Sequence, residues 1–255
     1  MSDTSDAPLS GCAALVTGAS SGIGAAIALA LAREGAGVAL VARRAERLER
    51  VAAEIRHEGG TCAVLPADLS EGARARGVVE DGVRHLGRLD VVVNSAGYVA
   101  RGAVEAGDPQ EWQRMVDLNF TAVLNVSRAA LPHLVGAAGD GRRGVADLVT
   151  ISSVAGRIVR KNNSVYSATK HAVGVFSEAL RQELTGRAVR VGLVEPGLTS
   201  TEMTAGEGWE PVAPGMPREA WLRAEDIARA VVFMVTQPPH AAVNEIMVRP
   251  TAQEP

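Results

Sequence analysis

Tyr166 and Lys170 stand four residues apart in the run Tyr-Ser-Ala-Thr-Lys, a spacing that puts a phenol and an ammonium on one face of a helix. A free tyrosine titrates near ~10, and a neighbouring cation that favours the phenolate makes it a usable acid–base group. Taken alone, Tyr-x-x-x-Lys is an ordinary helix surface. Composition singles it out here: of 26 basic residues only Lys161 and Lys170 are lysines, and the chain has 2 tyrosines. A chain that otherwise uses arginine keeps a lysine where a compact ammonium is needed rather than a guanidinium. Lys161 has no such neighbour and reads as a surface residue.

A second group of residues fits a phosphate. The first apolar run ends in Thr17-Gly18-Ala19-Ser20-Ser21-Gly22-Ile23-Gly24, and a helical pattern follows at once. Three glycines in a strand-to-helix turn let the backbone approach a pyrophosphate, which the helix N-terminus stabilises with free N–H groups and its dipole. No Gly-Lys-Ser/Thr follows, which excludes a P-loop. The second apolar run ends at Ala42 and continues into Arg43 and Arg44. An acidic residue there would bind a ribose 2′-hydroxyl, whereas arginine accommodates a 2′-phosphate. Arginines at a helix start are also mildly unfavourable by dipole, which strengthens the ligand reading and points to NADP(H). Asp68 and Leu69 follow the third run, and Asn94-Ser95-Ala96-Gly97 follows the fourth. Asp68 could meet an adenine amino group or cap the helix starting near Ser70.

These groups need a scaffold that brings them to one edge. Short apolar runs at 12–17, 38–42, 61–65, 89–93, 148–151, 189–194 and 245–248 read as strands buried on both faces. Helical patterns at 22–34, 45–58, 70–86, 111–134, 164–184 and 225–235 separate them. That alternation predicts an α/β fold: a doubly wound parallel sheet with helices on both faces, binding ligands outside the carboxyl ends of its strands. Ser152 and Ser153, after the fifth run, fall on the same edge. Two stretches break the rhythm. Residues 136–144 (GAAGDGRRG) read as a flexible surface loop. Residues 198–221 mix Pro and Gly with Met203, Trp209, Met216 and Trp221, the composition of a substrate lid rather than a solvated loop.

In order and spacing, residues 17–24, Asn94–Gly97, Asn119, Ser153, Tyr166-x-x-x-Lys170 and Pro196-Gly197 resemble the short-chain dehydrogenase/reductase family, over about residues 11–251. The resemblance implies a single seven-stranded Rossmann domain, a homotetramer or homodimer, and hydride transfer between NAD(P) and a carbonyl or alcohol. It makes Tyr166 the general acid–base and Ser153, not Ser152, the hydroxyl that holds the substrate oxygen. Lys170 would lower the tyrosine pKa and bind the nicotinamide ribose, and Asn119 would order a proton-relay water. The nucleotide would lie along Gly18, Ser20, Ser21, Gly22, Ile23, Gly24, Arg43, Arg44, Asp68, Leu69, Asn94, Ala96, Gly97, Tyr166, Lys170, Pro196, Gly197, Thr199 and Thr201. Ala155-Gly156-Arg157, Asn163, 176–185, Glu195-Pro196-Gly197 and 244–253 look like the clavaldehyde-dehydrogenase-like branch of NADP-dependent aldehyde and ketone reductases, some of them in bacterial secondary metabolism. Ser95 replaces that family's usual second asparagine.

The expected substrate wall is Tyr98, Ser153, Val154, Arg160, Asn163, Leu198, Met203 and Trp209, largely apolar and suited to a medium-sized aldehyde or ketone. Arg101 and Arg160 could meet an acid group. Length and composition agree with one domain: 255 residues, 47% hydrophobic and 22% charged. A net charge of −3 argues against a nucleic-acid protein. No apolar run approaches the ~18–20 residues that cross a bilayer. Neither of the 2 cysteines nor any of the 5 histidines has a neighbour at metal-ligand spacing, so no metal is expected. Residues 1–10 read as a disordered tail without a secretory pattern, and the expected compartment is the cytoplasm. A protein that merely bound the nucleotide would be expected to have lost the acid–base set, which is complete here.

Overall fold

The computed structural model describes residues 7–140, 142–205 and 216–253. Seven strands form one sheet: β1 (Ala13–Thr17), β2 (Gly37–Ala42), β3 (Cys62–Pro66), β4 (Val91–Asn94), β5 (Ala146–Ile151), β6 (Val189–Pro196) and β7 (Glu245–Val248). The order is β3-β2-β1-β4-β5-β6-β7, and every neighbouring pair is parallel. The chain therefore reverses its direction of winding between β1 and β4. The carboxyl ends of those two strands open the crevice where such sheets bind ligands.

Alternation along each strand explains the unbroken apolar runs. Val16, Leu40, Val93 and Val149 pack on one face, against α1 (Gly22–Arg33), α2 (Ala45–His57) and α7 (Ala224–Val235). Leu15, Val41, Val92 and Leu148 pack on the other, against α3 (Arg74–Leu86), α5 (Ala122–Gly139) and α6 (Ser164–Glu183). Both faces of the central strands are covered, so they carry no polar alternation, whereas β7, expected to be buried on both faces, is an edge strand that leaves Glu245 and Met247 exposed.

The structure redraws four expected boundaries. The helix predicted over 111–134 begins earlier as α4 (Pro109–Val116), with the Asp108 side chain accepting from Gln110 N–H at 2.8 Å. It passes through a π turn (Asp117–Thr121) and continues as α5 to Gly139. Half of the loop expected at 136–144 is thus helix, because Ala137 and Ala138 bury their methyl groups. α3 starts at Arg74 rather than near Ser70. At the N-terminus, residues 7–10 belong to the fold: Leu9 is fully buried and its N–H donates to the Glu34 carbonyl at 2.9 Å. The rest of the expected tail, 1–6, lies outside the described residues. Among the described residues no helix is long and apolar enough to cross a membrane.

Candidate active site

The glycine turn has little room for side chains. A Cβ on Gly18 would come within 2.9 Å of the Ala96 backbone, and one on Gly24 within 2.4 Å of the Gly18 carbonyl oxygen. β1, its turn, α1 and the β4 turn therefore close on one another with bare backbone facing the crevice. Thr17 pins this arrangement, since its Oγ1 accepts from the N–H groups of Ser95 at 2.9 Å and Ala96 at 3.0 Å. The N-terminus of α1 has no side-chain cap and no acidic residue in its first turn. Its free N–H groups and positive dipole end are available to an anion. These features fit a dinucleotide pyrophosphate.

A cleft runs from this turn to α6, lined by Gly18, Ser20, Ser21, Gly22, Ile23, Gly24, Arg43, Arg44, Asp68, Leu69, Ala96, Gly97, Tyr166, Lys170, Pro196, Gly197, Thr199 and Thr201. Ser153, Val154, Arg160, Asn163, Leu198 and Met203 line its other end. The structure thus brings together most of the residues singled out in the sequence. Asp68 does not cap α3. It holds Ser70 through the backbone N–H at 3.0 Å and the hydroxyl at 2.7 Å, and its other oxygen faces Arg43 at 3.5 Å.

Three expected residues sit differently. The Asn94 amide turns into the protein and donates to Ser127 Oγ at 3.2 Å, with the residue only 3% exposed. Tyr98 leaves the substrate wall: its ring stacks under the Arg114 guanidinium, 3.9 Å from the centroid, and its hydroxyl bonds Glu111. α4 supplies both partners from adjacent positions on one face, and Val99 and Arg101 take the place on the wall. Asn119 is buried in the π turn, a feature often found at functional sites. Both donors of its amide are committed, to the Tyr98 carbonyl at 2.8 Å and Thr169 Oγ1 at 3.2 Å, while its oxygen accepts from Tyr98 N–H at 2.7 Å. Thr169 in turn donates to the Tyr166 carbonyl at 2.8 Å. Asn119 therefore ties α4 and the β4 turn to the helix that carries Tyr166, and its amide has no donor left for a relay water. Trp209 lies outside the described residues.

At the centre, Tyr166 is half-buried on the cleft wall and hydrogen-bonded to the Ser153 hydroxyl. Ser153 starts a short 3-10 turn (Val154–Gly156), and its oxygen also accepts from Ala155 N–H at 3.1 Å. Ser152 points elsewhere, donating to the Lys170 carbonyl at 3.1 Å. Lys170 is 6% exposed, and its ammonium donates to the Ile151 carbonyl at 2.9 Å, 5.7 Å from the centre of the Tyr166 ring. Burial pulls the Lys170 pKa down from 10.5 to about 8. Burial also raises that of Tyr166, with the Ser153 hydrogen bond acting in the opposite sense. The expected lowering of the tyrosine pKa by Lys170 is thus not what the protein groups produce. Desolvation of the phenolate is the larger of the two effects.

Three residues at the cleft were not among the site residues expected from the sequence. Gln253, near the C-terminus, accepts from Leu198 N–H at 2.9 Å and lines the cleft. Ser95 lines it through the β4 turn. Glu202 lines the nucleotide end and pairs with Arg44 at 2.8 Å and with Arg47. The segment expected as a lid is anchored at its stem: Ser200 N–H donates to Leu222 O at 2.8 Å and Leu222 N–H to Leu198 O at 3.0 Å. Leu198, Met216 and Trp221 pack together below it, and Met203 stays exposed toward the cleft.

Comparison with known proteins places this geometry. The model of a family described as short chain dehydrogenase matches residues 12–210. Glycine betaine reductase of Emericella nidulans is 39% identical over 95% of this chain, which spans only 19% of that longer protein. A Staphylococcus epidermidis protein named only as an oxidoreductase is 35% identical, over 93% of this chain and 96% of its own. The crystal structure of a metagenomic short-chain oxidoreductase in complex with NADP superposes with a TM-score of 0.80 at 33% identity, covering 96% of this chain and 99% of that one. The match runs from the glycine turn through the helix of Tyr166 to the strand beyond it, and this chain belongs to the short-chain dehydrogenase family.

Proposed function

We propose that this protein is an NADP(H)-dependent carbonyl reductase that converts a ketone or aldehyde to an alcohol. The observation that carries the reading is Tyr166 beside Ser153 and the buried Lys170 ammonium on the wall of a cleft whose other end holds the glycine turn and Arg43-Arg44. The solved relative with bound NADP supports the same cofactor. Gly18, Gly22 and Gly24 would hold the pyrophosphate, Arg43 and Arg44 the 2′-phosphate, and Lys170 the nicotinamide ribose. NADPH, when bound, supplies the hydride.

The protein's own residues do the rest. Ser153 and Tyr166 together present two hydroxyls to one carbonyl oxygen, polarising it and fixing its position. As negative charge grows on that oxygen, Tyr166 delivers its proton. Lys170 keeps a positive charge one helical turn away, favouring the transient phenolate. Asn119 and Thr169 hold the helix in register. Val154, Leu198 and Met203 shield the reacting atoms from water.

The largely apolar wall supports a medium-sized hydrophobic substrate, as in the clavaldehyde-dehydrogenase-like branch and some reductases of bacterial secondary metabolism. The chain from residue 7 onward acts in this reading as one domain with a lid near 198–221, working in the cytoplasm as a homotetramer or homodimer. The test is to incubate the pure protein with NADPH and a panel of aldehydes, ketones and alcohols while following nicotinamide absorbance. Nucleotide binding with no turnover of any member would replace the enzyme by a non-catalytic NADP-binding protein.

A further inference from the structure

At the nucleotide end of the cleft one carboxylate stands among arginines. Arg44 reaches back over the glycine turn, donating to Ser21 Oγ at 2.7 Å and, through Nη2 and Nε, to Ser20 Oγ at 3.1 and 3.3 Å. Its remaining arm, Nη1, donates to Glu202 Oε2 at 2.8 Å. The other oxygen of Glu202 takes a hydrogen bond from Arg47, one turn along α2. Glu202 is held there by its backbone: it opens a 3-10 turn (Glu202–Thr204) closed by reciprocal Thr201 and Thr204 hydrogen bonds. Thr201 itself sits 3.3 Å from where a Cβ on Gly22 would be. Arg43 has Asp68 at 3.5 Å, outside good hydrogen-bond distance, so Arg44 is the more fully engaged of the pair.

A carboxylate bound by two guanidiniums makes the same contacts that a sugar 2′-phosphate would seek. Both anions need the Nη1 arm of Arg44, and side by side they would repel. Resting on the NADP(H) reading of this cleft, we infer that Glu202 is an internal competitor for the 2′-phosphate site, which the incoming nucleotide must displace from Arg44. Glu202 thereby tunes affinity for 2′-phosphorylated nucleotides and leaves NADH unaffected. The same turn carries Met203 into the cleft, so displacement of Glu202 also frees a residue of the substrate wall.

The experiment is a binding titration without substrate, using adenosine 2′,5′-bisphosphate and NADPH against ADP and NADH. Glu202→Gln keeps size and removes charge. Glu202→Ala repeats the test without an amide to replace the carboxylate. Glu202 and Arg44 are both about half exposed, where single ion pairs are weak, and two arms act here; the gain should be about three- to tenfold. It should appear for the two 2′-phosphorylated ligands and shrink at high salt. A gain of about twofold or less in both variants, weaker binding, or an equal gain for NADH and ADP overturns the inference. If the unaltered protein binds no 2′-phosphorylated ligand, the cofactor reading falls and the inference with it. If it binds them and the variants show no gain, the inference falls alone.

Discussion

Replacing Tyr166 by phenylalanine removes one oxygen and leaves the ring, so the structure separates its effects on folding and on chemistry. On folding, the loss is a single hydrogen bond to Ser153, whose oxygen keeps its bond from Ala155 N–H. Such a bond is worth about 0.5–1.5 kcal/mol. In a chain of this size that is a fall in Tm of roughly 1–6 °C, and the half-buried site puts it at the low end. The nucleotide end of the cleft is untouched, so NADPH affinity should stay within about threefold, as for loss of at most one weak contact. On chemistry, the proton donor is gone, and Ser153 alone cannot both hold the oxygen and neutralise it. A positioned acid contributes about 10²–10⁴-fold, or roughly 3–5 kcal/mol of barrier. The assay is single-turnover and steady-state oxidation of NADPH with the best substrate of the panel, beside a thermal melt and a nucleotide titration on the same preparation. Turnover above about a tenth of the original rate, with folding and NADPH binding intact, would refute Tyr166 as the acid.

The remaining predictions concern the cofactor turn, the lysines and pH. Ala42→Asp with Arg43→Ala should move preference toward NADH by about tenfold or more, because a carboxylate there repels a 2′-phosphate and can bind a free hydroxyl; the ratio of kcat/KM for the two cofactors measures it. Gly24→Ala should abolish tight nucleotide binding and lower Tm, since its Cβ would meet the Gly18 carbonyl oxygen at 2.4 Å; an unchanged titration would contradict this packing. Lys170→Arg should lose about tenfold or more in kcat, the buried pocket being shaped for an ammonium, while Lys161→Arg should be silent. With a Lys170 pKa of about 8 against an ordinary 10.5, the ammonium is present below pH 8 and lost above it, so kcat/KM for reduction should fall on that alkaline limb. Over the same interval the unfolded chain binds the extra proton, so this residue makes stability rise with pH between about 8 and 10.5, readable from urea midpoints.

What the sequence by itself determined is local. The strand, glycine turn and helix at 12–33, the two arginines after β2, and the one-turn spacing of Tyr166 and Lys170 are set by residue types and helical or strand period within a few positions. Strand–helix alternation then dictates a parallel sheet, because right-handed crossovers leave few other topologies, and the sheet in turn brings every strand end to one edge. Ser153 rather than Ser152 is the expectation from its distance to Tyr166 in the resembling family, and in the structure the Ser152 hydroxyl is turned to the Lys170 backbone carbonyl.

Only the tertiary structure decided the partners that lie far apart along the chain. Glu202 reaches Arg44 across 158 positions, Gln253 reaches Leu198 across 55, and Asn119 reaches Thr169 across 50. No period links such pairs. They meet because the strand order sets which loops share an edge, and that order is satisfied only when both faces of the sheet are buried at once. The same holds for side-chain direction. Tyr98 and Asn94 follow a strand end at the crevice, yet Arg114 and Glu111 claim one and Ser127 the other, from helices whose approach angle no local pattern encodes. The tyrosine's proton affinity belongs here too. Its neighbour at four residues suggested an acidified phenol, whereas burial, a property of the whole packed cleft, acts to raise its pKa.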